Sequence, residues 1–294
     1  MHKSKKIISG FYAVLTAVIV AVVFFLFCQF QPVNLEIDFF DVGQGDAIFI
    51  QTPGHFHILV DGGVDNTVVY KLGQYLPFYD RQIDLMVLTH PDSDHLTGLI
   101  EVLRRYRVKA VLLTGMIDNS AVYQEFLRTI EIKKPRLILA GQYQGIWIES
   151  DLDLEILYPV RSIAGQKFKE SNDSSIVAKL SYRNFSVLLT GDATIRVEAD
   201  LIKQGTDLKS DILKVAHHGS KSCSGQAFLE KVNPQLAVIS VGVNKFNHPN
   251  PEIITRFSNL NIPVLTTLNY GDIQIQSNGS TFWLLNKSNG LKKN

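Results

Sequence analysis

The sequence predicts an α/β domain built as an αββα sandwich, with two mixed β-sheets face to face and helices on the outside. Short apolar segments bounded by turn residues alternate with segments of helical periodicity, in the order β-rich, strand–helix repeats, β-rich, strand–helix repeats. The composition also fits, because 294 residues with 46% hydrophobic content suffice for one large core.

The first half begins with three short strands and continues as strand–helix pairs. The run "IDLMVLTH" is continuously apolar, which is typical of a buried strand. Asn119 or Ser120 is placed to cap the third helix. The predicted strands are 35–42, 46–52, 55–63, 83–90, 110–115 and 135–141, and the predicted helices are 67–76, 97–106 and 119–130.

The second half repeats this plan. Two of its strands are joined through Arg183 and Asn184 as a hairpin, and another runs directly into a histidine pair. The predicted strands are 152–159, 175–182, 185–192, 211–220 and 236–241, with two or three more over 264–285. The predicted helices are 196–205, 225–233 and 249–261.

The N-terminal segment has the pattern of a membrane anchor. Residues 7–30 carry no charge, and as a helix they would span roughly 36 Å, enough for a bilayer core of about 30 Å. The three lysines of residues 1–6 predict a cytoplasmic tail, with residues 31–294 outside the cytoplasm. A cleaved signal peptide or a lipoprotein site at Cys28 fits less well, because the segment ends in the bulky "FFLFCQF".

Charge and cysteine content exclude two classes. The 29 basic and 28 acidic residues nearly cancel, which argues against a dedicated nucleic-acid binder. The basic stretch 104–109 is more typical of a solvated helix end. Of the two cysteines, Cys28 lies in the apolar segment, so the fold does not depend on an intrachain disulfide.

The densest chemistry lies in the loop "HPDSDH", which follows a buried strand. His90, Asp92, Asp94 and His95 occupy six consecutive positions. Imidazole nitrogen and carboxylate oxygen are ligands for Zn²⁺, and carboxylates also suit Mn²⁺. A helix cap would explain one of the acids but not all four groups, so the pattern favours a metal site.

Three further clusters follow other strands. Asp192 ends "LLTGD", His217 and His218 follow "LKVA", and His248 lies among turn residues. Each alone has an ordinary explanation as a cap or a loop residue. Adjacent histidines point to opposite sides of an extended chain, which predicts one ligand in the pair. Because all three clusters lie at strand ends, where α/β proteins bind ligands, convergence on one site is expected.

These motifs, in this order, resemble the metallo-β-lactamase superfamily, and within it the hydrolase domain of the ComEC-type competence proteins. The resemblance covers 33–285 and is carried by "FFDVGQGDAIFI", "LVDGG", "LTHPDSDHLTG", "SNDSSIV", "LLTGDA", "KVAHHGS" and "NHPNPE". The usual superfamily signature is H-x-H-x-D-H, and Asp92 in place of its second histidine is the form of the ComEC branch.

The resemblance implies a site with two divalent metal ions, Zn²⁺ or Mn²⁺. His90 and Asp92 would hold the first metal, Asp94 and His95 the second, and Asp192 would bridge them. His217 would complete the second site, with His218 as the alternative. The implied catalytic residues are Asp94, Asp192 and His248, of which His248 would steady the phosphate or the leaving oxygen.

Supporting residues are implied as well. Asp61 would brace the metal loop from behind, and Asp46 belongs to a motif near the site. Many superfamily members use another histidine on the first metal, yet no histidine occurs from Leu96 to Gly191. Asn172, Asp173 or Ser175 could face the site instead, which gives the first metal harder ligands and leaves Mn²⁺ open.

The implied function is a phosphodiesterase or nuclease acting on DNA outside the cytoplasm, in connection with DNA uptake. One anchor without a channel could not move DNA by itself. The fold does not select the substrate. The alternatives are an extracellular hydrolase of another phosphoester, such as phosphorylcholine, or of a lactone or β-lactam, and a metal-poor binding module on the cell surface.

Overall fold

The computed structural model describes Tyr12 and residues 15–23, 34–141 and 144–285. Two units are distinguished, residues 1–33 and residues 34–294.

In the first unit, Tyr12 and residues 15–23 are helical and exposed. The remainder of the anchor predicted over 7–30, and the tail predicted over 1–6, lie outside the described residues. Within the part that is described, no helix has both the length and the apolar character needed to cross a membrane.

The second unit contains two mixed sheets, as the sequence predicts. In the first sheet β3 to β6 run parallel and the remaining neighbours are antiparallel. Its order is β15-β14-β1-β2-β3-β4-β5-β6. These strands are β1 (Leu35–Phe39), β2 (Ile48–Gln51), β3 (His57–Val60), β4 (Gln82–Val87), β5 (Arg107–Leu113), β6 (Arg136–Leu139), β14 (Ile273–Ser277) and β15 (Phe282–Leu284).

The second sheet has the order β13-β12-β11-β10-β9-β8-β7. It is antiparallel from β7 to β10 and parallel from β10 to β13. The predicted hairpin is confirmed, since Tyr182 pairs with Phe185 across the two-residue turn. The strands are β7 (Gln144–Glu149), β8 (Leu152–Tyr158), β9 (Val177–Tyr182), β10 (Phe185–Leu189), β11 (Ile212–Lys214), β12 (Leu236–Ile239) and β13 (Val264–Thr266).

Helices cover the outer faces of both sheets. Ser120 caps the third helix by accepting a hydrogen bond from the Tyr123 N–H at 3.3 Å, as its position in the sequence suggests. The helices are α1 (Thr67–Tyr75), α2 (Ser93–Arg105), α3 (Ala121–Lys133), α4 (Ile195–Lys203), α5 (Gln226–Val232), α6 (Pro251–Asn259) and the single turn α7 (Thr267–Tyr270). Two 3₁₀ turns, Ser171–Ser174 and Ala216–Gly219, lie in loops.

Three apolar layers hold this arrangement together. Alternate residues of the strands, such as Ile37, Ile50 and Leu180, fill the space between the two sheets. A second layer packs α1, α2 and α3 against the first sheet, and a third packs α4, α5 and α6 against the second. The αββα sandwich predicted from the sequence is therefore present over the described residues.

One detail differs from the prediction, and another agrees with it. Strand β7 was not expected, since its sequence "QGIWIE" lies between glycine and turn residues without a clear apolar period. The basic stretch 104–109 ends α2 and begins β5, and Arg104 and Arg105 pair with Glu101 of their own helix. The stretch is thus a solvated helix end, as its composition suggested.

The start of α2 lies directly on the backbone that follows β3. The Gly62 N–H donates to the His95 carbonyl at 2.7 Å, and the Gly98 N–H donates to the Gly63 carbonyl at 3.1 Å. A Cβ at Gly98 would lie 2.0 Å from the Gly62 carbonyl oxygen, so only glycine allows this approach. The contact fixes the loop 88–95 against the end of β3.

We expect Gly98→Ala to lower the free energy of unfolding by about 3 kcal/mol, because backbone atoms would have to move apart. The matched control is Gly73→Ala in α1, where a Cβ would meet no atom within 4 Å. That change should raise stability by about 0.5–1 kcal/mol through the unfolded chain. Chemical denaturation of the two variants measures both effects, and equal stability would contradict the close-approach interpretation.

Candidate metal centre

The ionisable clusters predicted from the sequence converge at one edge of the sandwich. Strands β1, β3 and β4 of the first sheet end there, as do β10, β11 and β12 of the second. The loops that follow these strands carry Asp46, Asp61, the segment from His90 to His95, Asp192 and the His217–His218 pair. Both sheets therefore contribute to the same site.

Three imidazoles and one carboxylate form its interior. The His90 and His95 rings are tilted by 55° with centroids 4.2 Å apart, and the His95 centroid lies 5.3 Å from that of His218. His95 Nε2 faces Asp192 Oδ1 at 3.2 Å. All four residues are at most 3% exposed.

The ligand atoms lie close enough to share ions. One group consists of His90, His95 and Asp192, and another of Asp94, His95 and His218, with the potential ligand atoms of each group within 4.8 Å of one another. Asp92 approaches the first group, since its Oδ2 lies 3.5 Å from His90 Nε2.

Several of these atoms are buried without a hydrogen-bond partner among the described residues. They are His90 Nε2, His95 Nε2 and Asp192 Oδ1. Buried polar atoms are rarely left without a partner, because the desolvation cost is not recovered. Nitrogen and oxygen atoms converging in this way are the ligand set that Zn²⁺ and Mn²⁺ take, so the residues fit a metal centre.

Asp61 and Thr89 orient the imidazole of His95 from behind. Asp61 Oδ2 lies 2.7 Å from His95 Nδ1 and accepts a hydrogen bond from the Thr89 hydroxyl at 2.7 Å, while Oδ1 accepts from the Thr89 N–H at 2.9 Å. This arrangement leaves His95 Nε2 facing the site, as a carboxylate behind a metal-ligating histidine does. Asp61 lies in the position that the resemblance implies for a brace.

Asp46 and Lys214 form a buried ion pair beside the site. The Lys214 ammonium contacts Asp46 and donates to the Gly191 carbonyl at 3.1 Å. Asp46 Oδ1 also lies 3.5 Å from His218 Nδ1. Lys214 was not among the residues predicted from the sequence, although a lysine inside the apolar strand "DILKVA" indicates a buried partner.

The structure distinguishes the two adjacent histidines. His218 is buried. Its Nδ1–H donates to the Ser240 carbonyl at 2.8 Å, and its Nε2 points at Asp94 Oδ2, 3.3 Å away. His217 is half-buried, and its Nε2 lies 4.0 Å from Asp192 Oδ2. The geometry thus places His218 in the cluster, where the sequence had favoured His217 and kept His218 as the alternative.

The reason is the backbone conformation of this turn. His217 and His218 have φ of 48° and 52°, in the left-handed region, and Gly219 follows with φ of 78°. In an extended chain, adjacent histidines point to opposite sides, so that His217 could point into the site. A left-handed turn rotates the second histidine into the site instead.

Asn172, Asp173 and Ser175 take three different positions. The Asn172 side-chain nitrogen lies 3.2 Å from His217 Nδ1. Asp173 is turned away and pairs with Thr194 and Arg196. Ser175 accepts a hydrogen bond from the Asp192 N–H at 3.2 Å and so positions the backbone of that residue.

His248 lies at the rim of the site. Its ring centroid is 5.6 Å from that of His217 in an edge-to-face arrangement. Burial, together with the nearby His217 and His218, lowers the pKa of His248, which keeps its imidazole neutral near pH 7.

The electrostatics of the interior follow from its buried acids. Burial alone would lower the pKa of His95 and His218, yet Asp192 and the neighbouring acids raise the pKa of His95 well above its usual value and that of His218 to about 10. Burial would raise the pKa of Asp192, but His95 and His218 hold it well below its usual range. The buried carboxylates therefore stay ionised near pH 7, and positive charge close to them stabilises this state.

Fold and site together have the architecture of the αββα metallo-hydrolase fold. The family model of the Metallo-beta-lactamase superfamily matches residues 40–115. The resemblance to ComEC-type competence proteins is confirmed by curated relatives.

Two relatives illustrate the similarity. ComE operon protein 3 of Bacillus subtilis (strain 168) is 29% identical over 270 residues, which is 81% of this chain and 32% of that protein. Competence protein ComA of Neisseria gonorrhoeae is 30% identical over 240 residues, 80% of this chain and 31% of that protein. The chain thus spans about a third of the length of these relatives.

Solved structures show the same fold. Igni18, a metallo hydrolase from the archaeon Ignicoccus hospitalis, superposes with a TM-score of 0.55 at 16% identity, covering 82% of this chain and 98% of that one. At this identity the likeness concerns the fold alone.

We expect metal uptake to release protons. Because their pKa is raised, His95 and His218 are protonated near pH 7 in the metal-free protein, whereas a metal ligand must be neutral. Binding of Zn²⁺ should release about two protons, and affinity should rise with pH until His218 loses its proton unaided near its pKa of about 10. Titration calorimetry in buffers of different ionisation enthalpy counts the protons, and heats independent of the buffer would contradict this charge assignment.

We expect the two adjacent histidines to differ in metal retention. His218→Ala should weaken metal binding by more than about a hundredfold, since its Nε2 belongs to the cluster with Asp94 and His95. His217→Ala, the matched control, should retain the metal content of the unmodified chain. Elemental analysis after dialysis measures both, and metal loss confined to His217→Ala would show that His217 is the ligand.

Proposed function

We propose that this protein is a phosphodiesterase that uses two divalent metal ions, Zn²⁺ or Mn²⁺, to cleave DNA. The observation that supports this most strongly is the set of buried, unpartnered ligand atoms at the junction of the two sheets, His90 Nε2, His95 Nε2 and Asp192 Oδ1. The similarity to competence proteins supports DNA as the substrate class.

The ligands divide between two positions. His90 and Asp92 would hold the first metal, and Asp94, His95 and His218 the second, with Asp192 shared by both. Metals in such a site lower the pKa of water and neutralise the charge that develops on a phosphodiester in an in-line displacement. Side chains of the protein would orient these ligands and bind the substrate.

The surrounding residues position and protect the ligands. Asp61 holds the His95 ring, and Ser175 holds the Asp192 backbone. The Lys214 ammonium neutralises the buried Asp46 carboxylate beside the ligands. His248, neutral and at the rim, is placed to donate a hydrogen bond to a phosphate oxygen or to the leaving oxygen.

The setting we propose is DNA uptake at the cell envelope. The uncharged segment 7–30 would anchor the chain in the membrane, and the lysines of residues 1–6 would keep that end in the cytoplasm. The hydrolase domain would then meet DNA outside the cytoplasm.

Asp192→Asn should reduce turnover to background, because the amide removes the shared negative ligand while keeping the shape of the side chain. The assay is metal-dependent cleavage of single-stranded DNA and of bis-p-nitrophenyl phosphate after chelation and re-addition of Mn²⁺ or Zn²⁺. Asp200→Asn is the matched control, because Asp200 is exposed on α4 and belongs to none of the candidate ligand groups. Full activity of Asp192→Asn would remove Asp192 from the mechanism.

A substrate panel tests the reaction class. The same preparation is offered p-nitrophenyl phosphorylcholine, a lactone and nitrocefin beside the two phosphodiesters. Turnover of nitrocefin or of the lactone without cleavage of either phosphodiester would overturn the proposal. A protein that takes up no divalent metal at all would overturn it as well.

A further inference from the structure

An exposed aromatic residue stands beside the candidate metal centre. The segment 242–248, called the rim loop here, joins β12 to α6 and ends at His248. Within it Val243 is 91% and Phe246 is 59% exposed, and Lys245 is exposed between them. Neither Lys245 nor Phe246 contributes to the apolar layers or to the ligand set.

The rim loop is fixed by hydrogen bonds despite its exposure. The Asn244 side-chain nitrogen donates to the carbonyls of Gly242 and His248 at 2.9 and 2.8 Å. Its oxygen accepts from the N–H groups of Phe246 and His248 at 3.0 and 3.1 Å. One side chain thus sets the loop conformation, so the exposed ring is presented at little further entropic cost.

Two imidazoles, those of His248 and His217, lie between the Phe246 ring and the candidate metal centre. The centroids of Phe246 and His248 are 5.9 Å apart, and His248 lies 5.6 Å from His217. The Lys245 ammonium lies over the Phe246 ring, 5.6 Å from its centroid. A positive charge, an aromatic ring and two imidazoles therefore follow one another toward the ligand cluster.

We propose that Phe246 is a stacking platform for an unpaired nucleobase, and that Lys245 pairs with an adjacent phosphate of the same strand. This rests on the proposed function and narrows its substrate to single-stranded polynucleotide. A base in a duplex is already stacked and paired, whereas a single strand offers its bases to aromatic side chains. A lysine next to the ring fits the alternation of base and phosphate in such a strand.

The test measures binding apart from cleavage. The purified full chain is titrated, in EDTA so that no metal-dependent turnover occurs, with a fluorescent oligothymidylate of about twelve nucleotides and with an abasic strand of equal length. The unmodified chain should bind the thymidylate about tenfold more tightly. Phe246→Ala should abolish this preference, and Phe246→Trp should preserve it.

Two further variants separate the contributions. Lys245→Ala should weaken binding of both strands equally and lower the salt dependence by about one phosphate contact. Phe78→Ala removes another exposed aromatic side chain, in the loop before β4, and should bind as the unmodified chain does.

The outcomes are distinguishable from failure of the proposed function. No binding of either strand, equal binding of both by the unmodified chain, or a base preference that survives Phe246→Ala would overturn the stacking platform. Base-dependent binding through Phe246 without any cleavage on addition of metal would leave the platform standing and refute the phosphodiesterase. Metal-dependent cleavage without any base preference in binding would support the phosphodiesterase and refute the stacking platform.

Discussion

Three carboxylates buried at one point impose the main constraint on this structure. Asp46, Asp61 and Asp192 are each at most 3% exposed. Taking a charge out of water costs several kcal/mol, so buried acids persist only where positive charge meets them. The Lys214 ammonium balances the charge of Asp46. In the metal-free protein, the protonated imidazoles of His95 and His218 balance the other two carboxylates. Two divalent metals would replace those two protons, and the partly exposed Asp92 and Asp94 would balance the two additional positive charges, which makes a metal centre and a stable metal-free fold compatible.

The charged residues of the site come from both sheets, so the site exists only when the two sheets are packed together. Asp46, Asp61 and His95 follow strands of the first sheet, whereas Asp192, Lys214 and His218 belong to the second. Neither sheet alone holds a neutral set. The Lys214 to Asp46 ion pair and the His218 to Asp94 contact therefore join the sheets at this edge, while the apolar layer joins them along their faces.

The sequence predicts the parts of this design that are local. Periodicity located the strands and helices, and the spacing of His90 to His95 indicated the metal loop. What it could not supply depends on contacts between distant segments or on backbone conformation. His218 points into the site because the backbone of the histidine pair is left-handed. A pair of adjacent histidines in a sequence does not predict that conformation. Asp173 was a possible ligand by position, yet its partner Arg196 lies on a helix 23 residues away. Strand β7 forms only because β8 pairs with it.

The candidate ligands differ in their exposure to solvent. His90, His95 and His218 are closed off from solvent, while the side chains of Asp92 and Asp94 are 39% and 31% exposed. His217, with 27% of its side chain exposed, is followed by His248 and the rim loop. Under the proposed function, a substrate would reach the centre past the acidic loop 91–94 and this histidine rim. Because the acids of that loop would repel a phosphate until cations neutralise them, metal loading would precede productive binding at the centre, and the aromatic and basic rim would be free to hold a strand beforehand.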